Sequence, residues 1–174
     1  VTSALIMPDT NPVLDDGALI DFVARRARDK AEINFYPAAA ISKGLDGDDI
    51  SEFGLLKEAG AKAFTDGRKS IQNAALLKTA FTYAVNFDMP IIHHVSDDSL
   101  TGSGVMNAGL LATGLGLKGI PHIAETIPLD RDVQLAEATG VRYHAAQISC
   151  AKSAEIIARA KKNSDRISAG TSIN

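Results

Sequence analysis

Four polar residues of this 174-residue chain stand where an apolar run ends: Asp9, Asp66, His94 and Gln147. Carboxylates and imidazoles bind divalent metal ions and act as acids or bases, so the three ionisable members are candidates for that chemistry. They can act together only if the fold brings the ends of several runs to one place.

Each candidate also has a structural interpretation. His93 and His94 are neighbours in one predicted strand, and because successive strand residues face opposite sides, only one of them can face a common site. Asp66 precedes Gly67, and Asp-Gly is an ordinary turn signal. Gln147 is a poor metal ligand because its amide oxygen is neutral. A catalytic transition metal usually takes three or more protein ligands, and this chain offers few.

Two other motifs carry weaker signals. Residues 114–119 match the dinucleotide pattern GxGxxG, but that fingerprint must join a strand directly to a helix, and here it lies deep in a glycine-rich connection. Cys150 stands at a predicted helix start, where the helix dipole lowers a thiol pKa, yet the neighbouring sequence nominates no base for it. We therefore expect turn-forming glycines and an unreactive thiol.

Strand-like and helix-like patterns alternate along the chain. The predicted strands are 4–7, 33–38, 61–65, 89–94, 141–149 and 166–171. The predicted helices are 15–30, 50–59, 73–87, 131–139 and 152–162, and a glycine-rich connection runs through Pro121. Strand starts recur about every 30 residues before that connection, as in successive βαβ units.

This alternation predicts an α/β fold with a parallel sheet, either a closed barrel or an open doubly wound sheet. The barrel is favoured because the polar candidates follow several strands, whereas an open sheet gathers them at one switch point. A complete barrel needs roughly 250 residues. We therefore expect residues 1–174 to be the central portion of a TIM (β/α)₈ barrel that lacks its first and last strands.

Composition argues against several classes of partner. The net charge of −3 and pI near 5.8 provide no basic surface for nucleic acid. No run is long and apolar enough to cross a membrane, and the single cysteine cannot form an internal disulfide. The expected location is the cytoplasm.

Several segments of the chain form an ordered set of motifs. They are Met-Pro-Asp-Thr-Asn-Pro at 7–12, Phe-Thr-Asp-Gly at 64–67, His-Val-Ser-Asp at 94–97, Gly-Leu-Lys-Gly-Ile-Pro at 116–121, Ala-Glu at 124–125, Arg-Asp at 131–132 and Tyr-His-Ala-Ala-Gln-Ile-Ser at 143–149. In order and spacing they resemble the motifs of the dihydroorotases, a family of cyclic amidohydrolases, across nearly the whole chain.

The resemblance implies a metal-dependent enzyme of pyrimidine synthesis that interconverts carbamoyl aspartate and dihydroorotate, with zinc activating a water against the ring amide. Asp66 matches the family's bridging carboxylate and His94 matches a ligating histidine. Asp9 stands where the family's asparagine binds the substrate carboxylate. The family's His-x-His pair and its late aspartate, which is the general base, would lie outside this chain.

Departures from the family pattern argue against zinc chemistry here. Gln147 replaces a ligating histidine, Asp9 puts a negative charge near an anionic substrate, and Asn174 replaces another histidine. Such losses resemble degenerate dihydroorotase homologues that serve as structural partners of aspartate transcarbamoylase. That role and self-association are our expectation; the alternative is an active dihydroorotase, or a related hydantoinase or allantoinase.

Overall fold

The computed structural model describes residues 1–172 and has an α/β architecture. Its strands are β1 (Ser3–Ile6), β2 (Asn34–Ala39), β3 (Ala63–Phe64), β4 (Ile91–His94), β5 (Met106–Asn107), β6 (Gly119–Ile120), β7 (Tyr143–Ala146) and β8 (Ile167–Ala169). Its helices are α1 (Gly17–Lys30), α2 (Phe53–Glu58), α3 (Ala74–Val85), α4 (Asp98–Thr101), α5 (Leu110–Gly114), α6 (Ile123–Thr139) and α7 (Ala151–Ala160). Asn174, which the sequence marks as a departure from the family pattern, lies outside the described residues.

Six strands form one sheet in the order β1-β2-β3-β4-β7-β8, and every neighbouring pair is parallel. The spatial order follows the chain order without a reversal. A doubly wound sheet reverses its order at a switch point, whereas a barrel adds each strand to the same edge. The sheet is therefore an arc of a barrel, and all its strands end at the same rim.

The helix-facing side of the arc is more buried than its lumen side, as strand β4 illustrates. Ile91 and His93 are fully buried, whereas Ile92 and His94 are only partly buried. Alternate strand residues face opposite sides, so the first pair faces the layer of helices and the second pair faces the lumen. The pattern confirms that the two adjacent histidines point in opposite directions.

The core lies between the sheet and its helices. Helix α3 buries one stripe at helical spacing, formed by Leu77, Ala80, Phe81 and Ala84. Phe53 of α2 stacks on Phe64 of β3 with ring centroids 3.9 Å apart. Burying an aromatic side chain stabilises the fold by about 1.5–3 kcal/mol, so these contacts fix the short strand β3 in the sheet.

Helix α6 is longer than the sequence predicts, because it begins at Ile123 and not at residue 131. Pro128 suggests a helix break, since proline cannot donate its backbone hydrogen bond. The structure tolerates it because the carbonyl oxygen of Ala124, to which the Pro128 nitrogen cannot donate, accepts the backbone N–H of Asp97 at 2.8 Å instead. The start predicted for this helix was wrong for that reason.

The glycine-rich connection is also more ordered than predicted. Strands β5 and β6 pair in parallel and form a small separate sheet, with α5 between them. Gly119 is required there, because a Cβ at this position would lie 2.5 Å from the Cα of Ala108. In residues 114–119 the glycines join a helix to a strand, the reverse of the dinucleotide fingerprint.

Among the described residues, no helix has the length and apolarity needed to span a membrane.

Candidate functional site

The predicted site residues lie at the rim formed by the carboxyl ends of the strands. Asp9 follows β1, Asp66 follows β3, His94 ends β4 and Gln147 follows β7. The sheet order places β3, β4 and β7 side by side. The fold therefore brings the three predicted metal-site positions to adjacent strands, and their contacts decide what each can do.

Asp66 is 1% exposed, and its carboxylate is occupied by the loop that follows β2. Its Oδ1 atom accepts hydrogen bonds from the backbone N–H groups of Ile41 at 2.8 Å and Ser42 at 3.0 Å. Its Oδ2 atom accepts the Ser42 hydroxyl at 2.6 Å. Burial raises the pKa of Asp66, while the hydrogen bonds from Ser42 and Ile41 oppose that shift. This carboxylate holds a loop in place.

His94 lies on the lumen side of β4, opposite Ala146 of β7. Its Nδ1 atom is buried and has no hydrogen-bond partner. Burial lowers the pKa of His94 and the neighbouring His93 adds to that shift, whereas Asp98 and Glu125 oppose it. A neutral imidazole with an unused nitrogen is what a metal ligand requires, so this residue alone fits the predicted role.

His93 has a different, fully buried environment. Its Nδ1 atom lies 2.6 Å from Oδ2 of Asp132, and its Nε2 atom accepts the Ile71 backbone N–H at 2.9 Å. Tyr143 donates its hydroxyl to the same Oδ2 atom at 3.0 Å. Burial raises the pKa of Tyr143 well above its usual range, and Asp132 adds to that shift.

The sequence reasoning did not identify Asp132 or Tyr143 as functional residues. In the sequence, Arg131 and Asp132 stand only within one family-like motif, and Tyr143 begins another. An aspartate in the middle of an otherwise apolar helix stripe was the available signal, because a buried carboxylate needs partners. It could not reveal which residues those partners are.

Gln147 directly follows the residue that pairs with His94, so it stands at the same level of the rim. It is exposed and has a backbone φ of 56°, the left-handed region that side chains other than glycine disfavour. Its amide can offer only a neutral oxygen to a cation.

Asp9 reaches the loop after β3. A Cβ built on Gly67 would lie 3.2 Å from Asp9 Cγ, so the carboxylate packs directly against that glycine. The Nε atom of Arg68 is 3.8 Å from Asp9 Oδ2. The guanidinium partly offsets the charge of Asp9, although the Arg68 side chain is 88% exposed.

A polar cavity of about 630 Å³ opens beside Asp66. It is lined by loop residues 45–48 and 68–73 together with Asp66 and Asp98. His94, Gln147 and Asp9 do not belong to its lining. The cavity and the His94 nitrogen are therefore separate features of the same rim.

The donor set within residues 1–172 does not fit a complete zinc site. No group of three or more His, Cys, Asp or Glu side chains in that range is arranged to hold a metal ion. Zinc sites use three or four such donors, and the Asp66 oxygens are already hydrogen-bonded. His94 is the one predicted ligand whose nitrogen is unpaired.

Comparison with known proteins decides the family. The family model described as Dihydro-orotase-like matches residues 1–153. The chain belongs to that family. A curated dihydroorotase from Syntrophotalea carbinolica is 42% identical over 170 residues, which cover 98% of this chain and 40% of that protein. One from Pelotomaculum thermopropionicum is 44% identical over 168 residues, 97% of this chain and 39% of the relative. The chain thus spans about two fifths of the length of these dihydroorotases.

Solved structures show the same fold at low sequence identity. The L-hydantoinase (dihydropyrimidinase) of Arthrobacter aurescens matches 98% of this chain and 39% of its own, with a TM-score of 0.77 at 16% identity. The dihydropyrimidinase of Brevibacillus agri NCHU1002 matches with a TM-score of 0.69 at 17% identity, over 98% of this chain and 39% of its own. These matches confirm the partial TIM-barrel fold predicted from the alternation of strands and helices.

Proposed function

We propose that this chain is part of a dihydroorotase homologue of pyrimidine biosynthesis that has lost catalytic competence and serves as a structural partner of aspartate transcarbamoylase. The family membership supports the biosynthetic context. The observation that carries the loss of catalysis is the environment of Asp66. Both oxygens of this carboxylate accept hydrogen bonds from residues 41 and 42, so a metal ion at the bridging position would have to compete with that loop for the carboxylate.

Gln147 and Asp9 support the same proposal. Gln147 stands beside His94 with a neutral amide where the family resemblance expects imidazole. Asp9 presents a carboxylate where the resemblance expects an asparagine to meet the substrate's own carboxylate. One substitution weakens a cation site, and the other repels an anion.

The role as a partner follows from the same reasoning. A family member that has lost catalysis can still contribute a folded surface to a partner. We infer that it does so in a cytoplasmic biosynthetic complex. Within the described residues, β1 and β8 are the end strands of the sheet. Their outer edges carry backbone groups that a further strand can pair with. Self-association of the protein is a separate part of the proposal.

One observation favours a second candidate, an active metal-dependent dihydroorotase or a related cyclic amidase. The buried Nδ1 atom of His94 has no protein partner, and burial lowers the pKa of this histidine. An unsatisfied buried polar atom is costly, and a cation held mainly by residues outside this chain would satisfy it. In that case His94 would contribute one ligand to a centre completed elsewhere.

The test is made on the complete protein. Elemental analysis measures bound zinc, an assay of dihydroorotate hydrolysis measures turnover, and affinity purification asks whether aspartate transcarbamoylase accompanies it. We expect substoichiometric zinc, turnover at background level and co-purification of the transcarbamoylase. Stoichiometric zinc with turnover would overturn the loss of catalysis, and a protein purified without the transcarbamoylase would overturn the partnership.

A further inference from the structure

The hydrogen bonds of Asp132 join three elements of the fold, α6, β4 and β7. Asp132 is fully buried in α6, and its Oδ2 atom contacts His93 of β4 and Tyr143 of β7 at 2.6 and 3.0 Å. Its Oδ1 atom accepts the Nε–H of Arg131 at 2.9 Å. One carboxylate therefore receives three side-chain donors, which is the arrangement that makes a buried charge tolerable.

The protonation of His93 follows from its two neighbours. The backbone N–H of Ile71 can only donate, so the Nε2 atom of His93 must accept and carries no proton. The imidazole proton then resides on Nδ1 and is donated to Asp132. Asp132 thus selects the tautomer of His93 in which the Nε2 atom can accept the hydrogen bond from the Ile71 backbone N–H.

Arg131 holds the other side of the same peptide segment. Its Nη2 atom donates to the carbonyl oxygen of Ile71 and its Nη1 atom to that of Gln72, both at 3.0 Å. Ile71 is therefore held at its N–H by His93 and at its carbonyl by Arg131. Both of these side chains are oriented by Asp132.

The segment that contains Ile71 and Gln72 belongs to a loop at the rim of the sheet. Loop 66–73 begins at Asp66 and ends at Asn73, the residue that caps α3 through bonds to the amides of Ala75 and Leu76. Ile71 and Gln72 line the polar cavity together with Asp66. Gln72 also donates to the carbonyl of Ser96 at 3.0 Å, beyond His94.

We propose that Asp132 is a positioning residue, which holds loop 66–73 against β4 through His93 and Arg131 and so sets the place of Asp66 and the cavity wall relative to His94. The proposal goes beyond the proposed function and does not depend on it. The same geometry would serve a rigid scaffold surface or a working site.

The experiment compares Asp132→Asn with Asp130→Asn in the complete protein. Asp130 lies on the same helix but forms a solvent-exposed pair with Arg159, so its substitution is a matched control. Hydrogen exchange read by mass spectrometry follows two peptides, one covering residues 67–73 and one covering 91–95. Selective ¹⁵N labelling of histidine reports the tautomer of His93.

In the unmodified protein we expect His93 to be protonated on Nδ1. In Asp132→Asn we expect exchange in peptide 67–73 to accelerate roughly tenfold, as loss of a buried hydrogen bond implies, while peptide 91–95 changes much less. Asp130→Asn should alter neither peptide. An Nε2-protonated His93 in the unmodified protein, or equal acceleration of both peptides, would overturn the proposal.

Tyr143→Phe keeps the proposal testable if Asp132→Asn does not fold. It removes one donor to Asp132 but leaves the contact between His93 and the carboxylate. We expect a smaller acceleration, again confined to peptide 67–73, with the His93 tautomer unchanged. No local acceleration in this variant, together with the wrong tautomer, would count against Asp132 as the positioning residue. Neither readout involves zinc or turnover, so these outcomes are separate from those of the proposed function.

Discussion

The hydroxyl of Ser42 donates to Oδ2 of Asp66 over 2.6 Å, and the same Ser42 oxygen accepts the backbone N–H of Gly47 at 3.0 Å. The carboxylate that follows β3 is thereby joined to both ends of the turn that follows β2. Two neighbouring rim loops therefore form one hydrogen-bonded unit, with which a metal ion at Asp66 would compete for the carboxylate.

Ser42→Ala tests the strength of that unit. The substitution leaves a buried carboxylate oxygen and the Gly47 amide without partners, so we expect the free energy of unfolding to fall by about 1–3 kcal/mol. The measurement is a urea unfolding curve. Ser51→Ala is the matched control, because Ser51 is equally buried but its hydroxyl has no partner. A loss in the control as large as that in Ser42→Ala would contradict this assignment.

Gln147→His should restore a metal ligand beside His94. An imidazole nitrogen binds zinc far better than a neutral amide oxygen, so we expect zinc affinity of the complete protein to rise on the order of tenfold, the lower end of the effects seen when a metal site is altered. Isothermal titration with zinc measures this change. Gln147→Asn keeps the amide and should not change the affinity. An unchanged affinity in Gln147→His would show that residue 147 does not face the same site as His94.

Asp9→Asn should improve the binding of an anionic ligand such as carbamoyl aspartate. Removing one negative charge about 4 Å from a ligand carboxylate relieves about 1 kcal/mol of repulsion in a water-like dielectric, or roughly fivefold in affinity. Equilibrium binding at low and high salt measures it, and the gain should shrink as salt screens the charge. Asp46→Asn, on the neighbouring loop, is the control. Equal gains from both variants would point to net charge and not to the position of Asp9.

The free energy of unfolding should fall as the pH is lowered below neutrality. His144 faces the lumen with its Nδ1 atom 2.9 Å from the Ser168 hydroxyl, and burial lowers its pKa below the ordinary value of 6.5. Between the lowered pKa and 6.5 the unfolded chain binds more protons than the folded chain, so stability rises with pH through that window and is lost as pH falls through it.

Urea midpoints measured between pH 5 and pH 7.5 would show this dependence. In His144→Asn the urea midpoint should depend less steeply on pH. Some dependence should remain, because burial also lowers the pKa of His94. His122→Asn is a suitable control, since His122 is exposed at the start of α6. A profile identical in His144→Asn and the unmodified chain would exclude His144 as a source of the slope.

Much of the fold was predictable from local pattern. The apolar stripe of α3 and the Asp16 side chain that accepts the Ala18 amide at the start of α1 are both encoded within a few residues. The beginning of α6 was not predictable, because the Ala124 carbonyl that Pro128 leaves free is satisfied by the backbone N–H of Asp97, which only the tertiary structure brings there. The β5–β6 sheet was missed because two-residue strands carry no periodicity.

The candidate site divides in the same way. Sequence alone determined the alternation of strands and helices, the rim position of Asp9, Asp66, His94 and Gln147, and the resemblance to dihydroorotases, because each depends on residue type and spacing along the chain. Tertiary structure alone decided that the Asp66 oxygens belong to residues 41 and 42 and that His93 belongs to Asp132. These partners lie 24 to 39 residues apart, and hydrogen bonds depend on distances and directions that only packing sets.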